Sequence, residues 1–510
     1  MTSAGPTART AFSWLIPAII AVLAVQVYLW PHVTDDAYIS FRYAWNLAEG
    51  NGLVFNPGER VEGFSNPLWT LLLAGLHAAT AIEIPDLARA CGILSSVALL
   101  FLAFRFVRRS GGLFAANLVL LLIILNPGFH VFASAGLEGP LLSLLLVAGL
   151  ILSQTTSPLF RLTAACLMGL AGITRPEGPA YAGLWFLATM EPGSLRDLFK
   201  QERIRFAVLL FPILAWQVFR VSYFGAWLPN TAVAKVPGVF GEFITFPDYI
   251  APWLVASGGP LLLLLWLVLP PREYHIRAIE RTGLAIVGGN LIFIAYAQGD
   301  WMLFGRFIAP IWPVLSVPLA LWLASVVREL GQIMNIRFRP VLAIAPSAGI
   351  ILCAFLAWQS SVGAYLANEG MAMLMRGTDQ LAVGEWISRE IAPTASIATG
   401  RLGGISYGAR RHVVWDWFGL TDAGEAEHIR RGRPGEIGDD PVFSRKPDVI
   451  AAIEAPADWS YTRTSSLMDF LKENYIFVIA FPQGRYGSID LWVRRDRIDS
   501  VMVNRERFVL

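Results

Sequence analysis

Charge is scarce in this chain of 510 residues: Asp, Glu, Lys and Arg together make up 15%, against roughly 25% in an ordinary soluble domain. With 55% hydrophobic residues and a mean hydropathy of +0.54, a soluble fold would lack polar surface to cover itself, and the bilayer is the solvent that fits. The formal net charge is only +2, and the basic residues are scattered rather than striped, which argues against nucleic acid as a partner. Cysteine is almost absent. Cys91, Cys166 and Cys353 each sit inside an apolar run, so neither a disulfide framework nor a thiolate metal site is indicated. Internal repeats are lacking. No small-x-small cleavage pattern precedes Pro31 after the first apolar run, 14–30, so that run reads as a retained helix rather than a removed leader.

What is present is a series of apolar runs. A spanning helix needs about 20 predominantly apolar residues. Candidates are 14–30, 88–107, 113–130, 140–154, 161–174, 178–190, 206–222, 251–270, 282–298, 307–326 and 341–362. The run 68–82 is shorter, and whether it crosses sets the side of every later loop. If it does not cross, one face collects 15 basic and 6 acidic residues, and the other, before residue 363, collects 7 basic and 12 acidic. A crossing there would destroy this bias, and the positive-inside rule therefore makes it a juxtamembrane or re-entrant helix. The expectation is a polytopic α-helical membrane protein of about eleven spans, with a cytoplasmic N-terminus.

Charge density rises from about residue 363. Short β-like runs at 396–399, 412–415, 449–452, 476–481 and 491–493 alternate with helical patterns at 379–390 and 465–474. That alternation suggests a small α/β domain. The organisation expected is a transmembrane domain, 1–362, with a first outer loop 31–87, followed by an extracytoplasmic α/β domain, 363–510.

Ionisable residues near a membrane are expensive and usually mark function. Here they gather on the outer face. Asp35 and Asp36 stand where the first helix ends; two adjacent carboxylates repel, which raises a pKa and suits a general base. The plain alternative is a helix cap beside a solvated acid. The same face holds Arg42, Glu138, Arg175, Glu177, Asn230, Lys235, Asp300 and Arg306. Arg175 with Glu177 also fits a structural ion pair, and Arg306 also fits a side chain reaching for headgroups.

The first loop, DDAYISFRYAWNLAEGNGLVFNPGERVEGFSNPLWTLLLA, resembles the opening motif of GT-C-type glycosyltransferases related to the mycobacterial AftB-type arabinofuranosyltransferases. SAGLEGPL, ITRPEG, LPNTAVAK and GDWMLFGRFIAPIWPVL follow in the same order, and GGISYGARRHVVWDWFGLTD resembles the family's G-x-I-x-Y and V-x-D-x-x-G-L-T-D stretch. The likeness runs through residue 422. It implies a GT-C-like fold, a polyprenyl-phosphate sugar donor, an extracytoplasmic glycan or cell-envelope acceptor, and a periplasmic site in a bacterial inner membrane. It also implies inverting transfer with a first-loop acid, Asp35 or Asp36, as catalytic base. Arg306, Lys235 and Arg175 are the candidate cations for the leaving phosphate. Glu138, Glu177, Asn230, Asp300 and Arg42 are left as substrate-binding candidates. No cofactor is demanded; Asp35, Asp36 and Glu138 remain a conceivable divalent-metal set, although no ligand spacing asks for one. The competing classes are a lipid-linked-sugar transporter, which would favour charge at mid-bilayer on paired broken helices, and a non-catalytic envelope-assembly scaffold.

Overall fold

The computed structural model describes residues 20, 24, 32–124, 126–190, 195–234, 247, 249–251, 266–270, 273–297, 299–300, 302, 304–333, 377–432, 435–454, 464–483 and 487–503. The expected spans 14–30 and 341–362, most of 251–270, Lys235 and the boundary at 362/363 lie outside the described residues. In chain order the helices are α1 (Asp35–Ala48), α2 (Pro67–Thr80), α3 (Ile84–Ile124), α4 (Pro127–Ser134), α5 (Gly139–Leu152), α6 (Pro158–Ala171) and α7 (Gly178–Thr189). They continue with α8 (Leu195–Phe224), α9 (Asn230–Ala234), α10 (Tyr274–Ala297), α11 (Trp312–Ile333) and α12 (Gly377–Glu390). Then come β1 (Ser396–Thr399), α13 (Leu402–Gly408), β2 (Val413–Asp416), α14 (Ala423–Arg430), β3 (Val449–Glu454), α15 (Thr464–Asn474), β4 (Tyr475–Pro482), β5 (Ser488–Arg494) and α16 (Ile498–Val501).

The chain divides into two compact units. The first comprises 1–31, 89–215 and 243–368, the second 32–88, 216–242 and 369–510. In the first, α5 packs on α6, α6 on α7, α7 on α10, α10 on α11 and α11 on α5. Three described helical stretches are long and apolar enough to cross a membrane: Ile84–Ile124, Glu202–Phe224 and Ile276–Ala297. α4 and α5 together pass the same test but are bent by 115° at the break. α3 is itself two arms. Gly112, three residues beyond Arg109, takes φ 84° and ψ −177° and breaks it, a conformation only glycine adopts without strain. The arms correspond to the apolar runs 88–107 and 113–130. The second stops at Ile124 because Pro127 begins a new helix, whose first turn is capped by the Asn126 side chain accepting from the Phe129 N–H.

In the second unit a five-stranded sheet runs in the order β2-β1-β3-β5-β4. β2, β1 and β3 are parallel; β5 pairs antiparallel with β3 and with β4. Parallel neighbours need a crossover, and α13 supplies the one from β1 to β2. β1 then has its two sequence successors on opposite sides, the strand order at which open α/β sheets leave a crevice beyond their carboxyl ends. One face of the sheet is closed by Val442, Phe443, Ile450, Leu471, Tyr475 and Trp492, with Trp415 and Trp417 packed against them. α12 packs on α13, and both pack on α1. The helix α2, at 14 residues, reaches only about 21 Å, short of the roughly 30 Å of a hydrocarbon core. It begins with Pro at N1 and ends at Ala81 in the left-handed region, φ 57°.

Candidate active site

α1 is unusual for a helix so rich in polar residues: from Asp35 to Ala44 every residue except Asp36 is buried. Asp35 is 8% exposed. Its Oδ1 accepts the Gly404 N–H at 2.7 Å. The Gln380 carboxamide, turned so that its nitrogen faces the acid, donates at 2.7 and 3.3 Å to the two carboxylate oxygens. Burial pushes the Asp35 carboxyl up to about 6, against the Gly404 N–H and the Arg401 charge, which pull it down. The charge of Asp36 adds to the rise, but burial is the larger cause. Asp36 is half-buried.

The rest of the first loop is held by polar groups spent internally. Arg42, with no exposed surface, donates to the carbonyls of Phe55 at 2.8 Å, Ser406 at 2.5 Å and His412 at 2.7 Å, and to Asn56 Oδ1 at 3.0 Å. Its guanidinium lies 4.4 Å from the Phe55 ring centroid. Burial pulls its pKa down to about 9, which still leaves it cationic at neutral pH. The Tyr43 hydroxyl donates to the Val61 carbonyl at 2.6 Å and accepts the Gly63 N–H at 2.9 Å. Glu62, buried, is gripped by Arg220 through two nitrogens, at 2.5 and 3.1 Å. Asn230 opens α9 and donates its side-chain amide to the carbonyls of Gly419 at 2.7 Å and Leu420 at 3.1 Å, while its own N–H bonds the Glu62 carbonyl at 2.9 Å. Pieces of three separated motifs (VEGFSNP, LPN and GLTD) are therefore tied together by one asparagine.

The acidic-aromatic run 415–418 divides between sheet and turn. Asp416 has no exposed surface and accepts the N–H groups of Phe418 at 2.8 Å and Thr421 at 2.9 Å. Burial pushes its carboxyl up to about 6 against those donors. The Trp417 ring lies 5.4 Å from that of Phe443, tilted by 32°.

The first unit carries the remaining candidates. Arg175 donates to Glu138 at 2.8 Å and to Glu177 at 2.5 Å, with all three side chains at most 4% exposed. Glu138 and Glu177 are the N-cap residues of α5 and α7, where negative charge complements the helix dipole. The second oxygen of Glu177 is buried without a hydrogen-bond partner among the described residues. Arg175 also lies 5.3 Å from the Phe307 ring centroid. Arg306 approaches the Met302 sulfur at 3.6 Å. It follows Phe304 and Gly305, both at positive φ, 68° and 67°; a bulky residue in that region is rare and stores strain. Asp300 follows Gly299, which is also at positive φ, 90°, and whose space for a side chain is filled by Tyr249. Among the described residues no three of His, Cys, Asp and Glu gather as metal ligands would. Sequence reasoning named Asp35, Arg42 and Asn230 but missed their partners Gln380, Gly404 and Ser406. The one signal available was the glycine pair in GGISYG, which marks a close backbone approach.

A family model described as a domain of unknown function (DUF8728) matches residues 371–498. In sequence, the chain is similar to the terminal β-(1→2)-arabinofuranosyltransferase of Corynebacterium glutamicum, 28% identical over 290 residues, covering 49% of this chain and 41% of the relative. The protein of the same description from Mycobacterium tuberculosis is 30% identical over 227 residues, covering 40% of this chain and 35% of the relative. The matched part is thus about two fifths or less of either relative's length. Among solved structures, ArnT from Cupriavidus metallidurans bound to undecaprenyl phosphate superposes with a TM-score of 0.60 at 13% identity, covering 96% of this chain and 98% of that one. The oligosaccharyltransferase AglB from Archaeoglobus fulgidus, in complex with an inhibitory peptide and a dolichol-phosphate, gives 0.51 at 12% identity, covering 94% and 74%. The chain has the polytopic membrane fold of GT-C enzymes, and the curated proteins it is similar to in sequence are terminal arabinofuranosyltransferases.

Proposed function

We propose that this chain is a membrane glycosyltransferase that moves a sugar, arabinofuranose, from a polyprenyl-phosphate donor to an extracytoplasmic glycan with inversion at the anomeric carbon. The observation that carries this reading is the sequence similarity to two terminal arabinofuranosyltransferases. It is supported by the fold shared along nearly the whole chain with an enzyme bound to undecaprenyl phosphate.

In the proposed step, a carboxylate at the start of α1 takes the proton of an acceptor hydroxyl. The hydroxyl oxygen forms the new bond to the anomeric carbon as the bond to the phosphate oxygen breaks. The polyprenyl phosphate leaves with the electron pair. Being already a weak base, it needs no strong general acid, only cations to meet its growing charge. We assign the base to Asp36, the one residue of the first ten in α1 that is not buried. Arg306 and Lys235 are assigned to the phosphate. Arg175 is the third candidate, with its charge already shared by two carboxylates. Glu138, Glu177 and Asp300 are kept for sugar hydroxyls, whereas Arg42 and Asn230 act through the loops they hold. The organisation proposed is a transmembrane domain, 1–362, of about eleven spans and a periplasmic domain, 363–510, in a bacterial inner membrane, with the N-terminus in the cytoplasm.

The test is sugar transfer by the purified full chain in nanodiscs, from a synthetic polyprenyl-phosphate arabinofuranose to an oligoarabinofuranoside, with the product linkage read by NMR. A new terminal residue whose anomeric configuration is opposite to the donor's is the expected product. An unconsumed donor, or preference for a hexosyl donor offered in parallel, would overturn the sugar assignment.

A further inference from the structure

The two carboxylates at the head of α1 are neighbours in sequence but stand in different surroundings. Asp35 points into a niche built by chain more than 340 residues away. Three glycines make that niche. A Cβ on Gly403 would overlap the Asp35 carbonyl and carboxylate oxygens, and one on Gly404 would overlap the Gly377 carbonyl. A Cβ on Gly377 would come within 2.8 Å of the Asp35 Cα and of the Tyr38 ring. Absence of side chains lets the backbones of α1, α12 and α13 meet, and polar bonds then fix the register. The Gly377 N–H donates to the Val33 carbonyl at 2.9 Å, His32 meets the Thr378 hydroxyl at 2.9 Å, and the Asp35 carboxylate takes the Gly404 N–H and the Gln380 amide. In open α/β sheets the turn after the first strand commonly offers its N–H groups to a bound ligand. Here the chain's own Asp35 fills that position after β1.

We propose that Asp35 is a positioning residue, whose carboxylate fastens the first turn of α1 to the segments after β1 and in α12 and so presents Asp36, rather than itself, to the acceptor. This rests on the transferase reading above. On a helix, consecutive side chains point about 100° apart, so anchoring one acid in the niche sets the direction of the next. The carboxylate of Asp35 is spent on two donors and buried. Asp36, beside it, is not buried.

The inference separates an amide from an alanine at position 35. In Asp35→Asn the side-chain oxygen still accepts from Gly404, and the new amide donates to Gln380 once the Gln380 carboxamide turns over. The niche is preserved without a carboxylate. In Asp35→Ala both bonds vanish. With the full chain in nanodiscs and the donor and acceptor named above, Asp35→Asn should keep kcat within about tenfold of the wild type and retain the acidic limb of the kcat/KM pH profile, whereas Asp36→Asn should lose about 100- to 10,000-fold in kcat. Asp35→Ala and Gln380→Leu should lower both the thermal midpoint and kcat, and Asn at position 35 should restore what Ala loses. A folded Asp35→Asn protein with an unchanged midpoint but a loss of more than about 100-fold would overturn the proposal, because Asp35 would then be acting chemically. If the wild type transfers no sugar, the transferase reading falls, and the positioning claim is decided by midpoints alone. Asn no lower than wild type with Ala and Gln380→Leu lowered supports it; equal midpoints in all four proteins refute it.

Discussion

Arg42 offers a quantitative test of whether the first loop is a recognition surface or a scaffold. Its guanidinium is wholly buried and reaches four acceptors. Two of these, the Phe55 carbonyl and Asn56 Oδ1, have other donors in the Asn46 amide and the Val414 N–H. The Ser406 and His412 carbonyls depend on Arg42 most. Arg42→Lys keeps the charge and its burial cost but replaces a planar fork by a point donor, which cannot serve acceptors lying in several directions. Losing two charge-assisted bonds at about 1.5–3 kcal/mol each gives a destabilisation of about 3–6 kcal/mol. In a unit of roughly 150–250 residues each kcal/mol moves the midpoint by about 2–4 °C, so the drop should be about 6–24 °C. Tryptophan fluorescence during a thermal ramp of the detergent-solubilised protein measures it, with donor and acceptor KM measured well below the transition. A scaffold residue lowers the midpoint and leaves KM near its wild-type value. A midpoint within about 2 °C of wild type, together with a raised KM, would refute the staple and return Arg42 to the substrate.

The buried acids set a pH dependence. Asp35 and Asp416 are both held near 6, above the ordinary 3.8, so the folded chain keeps these protons more tightly than the unfolded one. Their stabilising contribution is complete below pH of about 4 and is lost as pH rises through about 6, by up to about 3 kcal/mol for each group. The midpoint should fall across that interval, and Asp35→Asn should flatten the fall; a midpoint that rises there, or an unaltered slope in the variant, contradicts the assignment. The proposed orientation places Arg277 in the cytoplasm and Arg430 outside. With Cys91, Cys166 and Cys353 replaced, a cysteine at 430 should react with a membrane-impermeant maleimide in sealed cells and one at 277 should not, and the reverse pattern would invert the topology.

Much of the local structure is written in the chain because it depends on near neighbours. The strand at 396–399, the expected run 449–452 within the strand Val449–Glu454, and the helix to Glu390 fall where period and composition place them. The short apolar run after Asn66 forms a helix of only 14 residues, as its length requires. Proline and glycine punctuate as their backbones dictate, at Pro127 and at Gly112. The membrane class follows from composition alone, since 15% charge cannot clothe a soluble chain of this size. The likeness to GT-C enzymes was legible too, because the motifs are contiguous.

The partners of the polar side chains were decided only by tertiary structure. Nothing local distinguishes Asp35 from Asp36. Their difference comes from Gln380 and Gly404, which the fold brings to one of them and not to the other. Arg42 and Asn230 look like ligand groups in the sequence, yet their donors are spent on carbonyls of residues 406, 412, 419 and 420. Arg175 was paired correctly with Glu177 by spacing, but Glu138, 37 residues earlier, accepts from the same guanidinium. Hydrophobic periodicity reports which face of an element leaves water, a property summed over many residues. A hydrogen bond is directional and pairwise, so a buried polar group's role is fixed by whichever partner the completed fold carries to within about 3 Å.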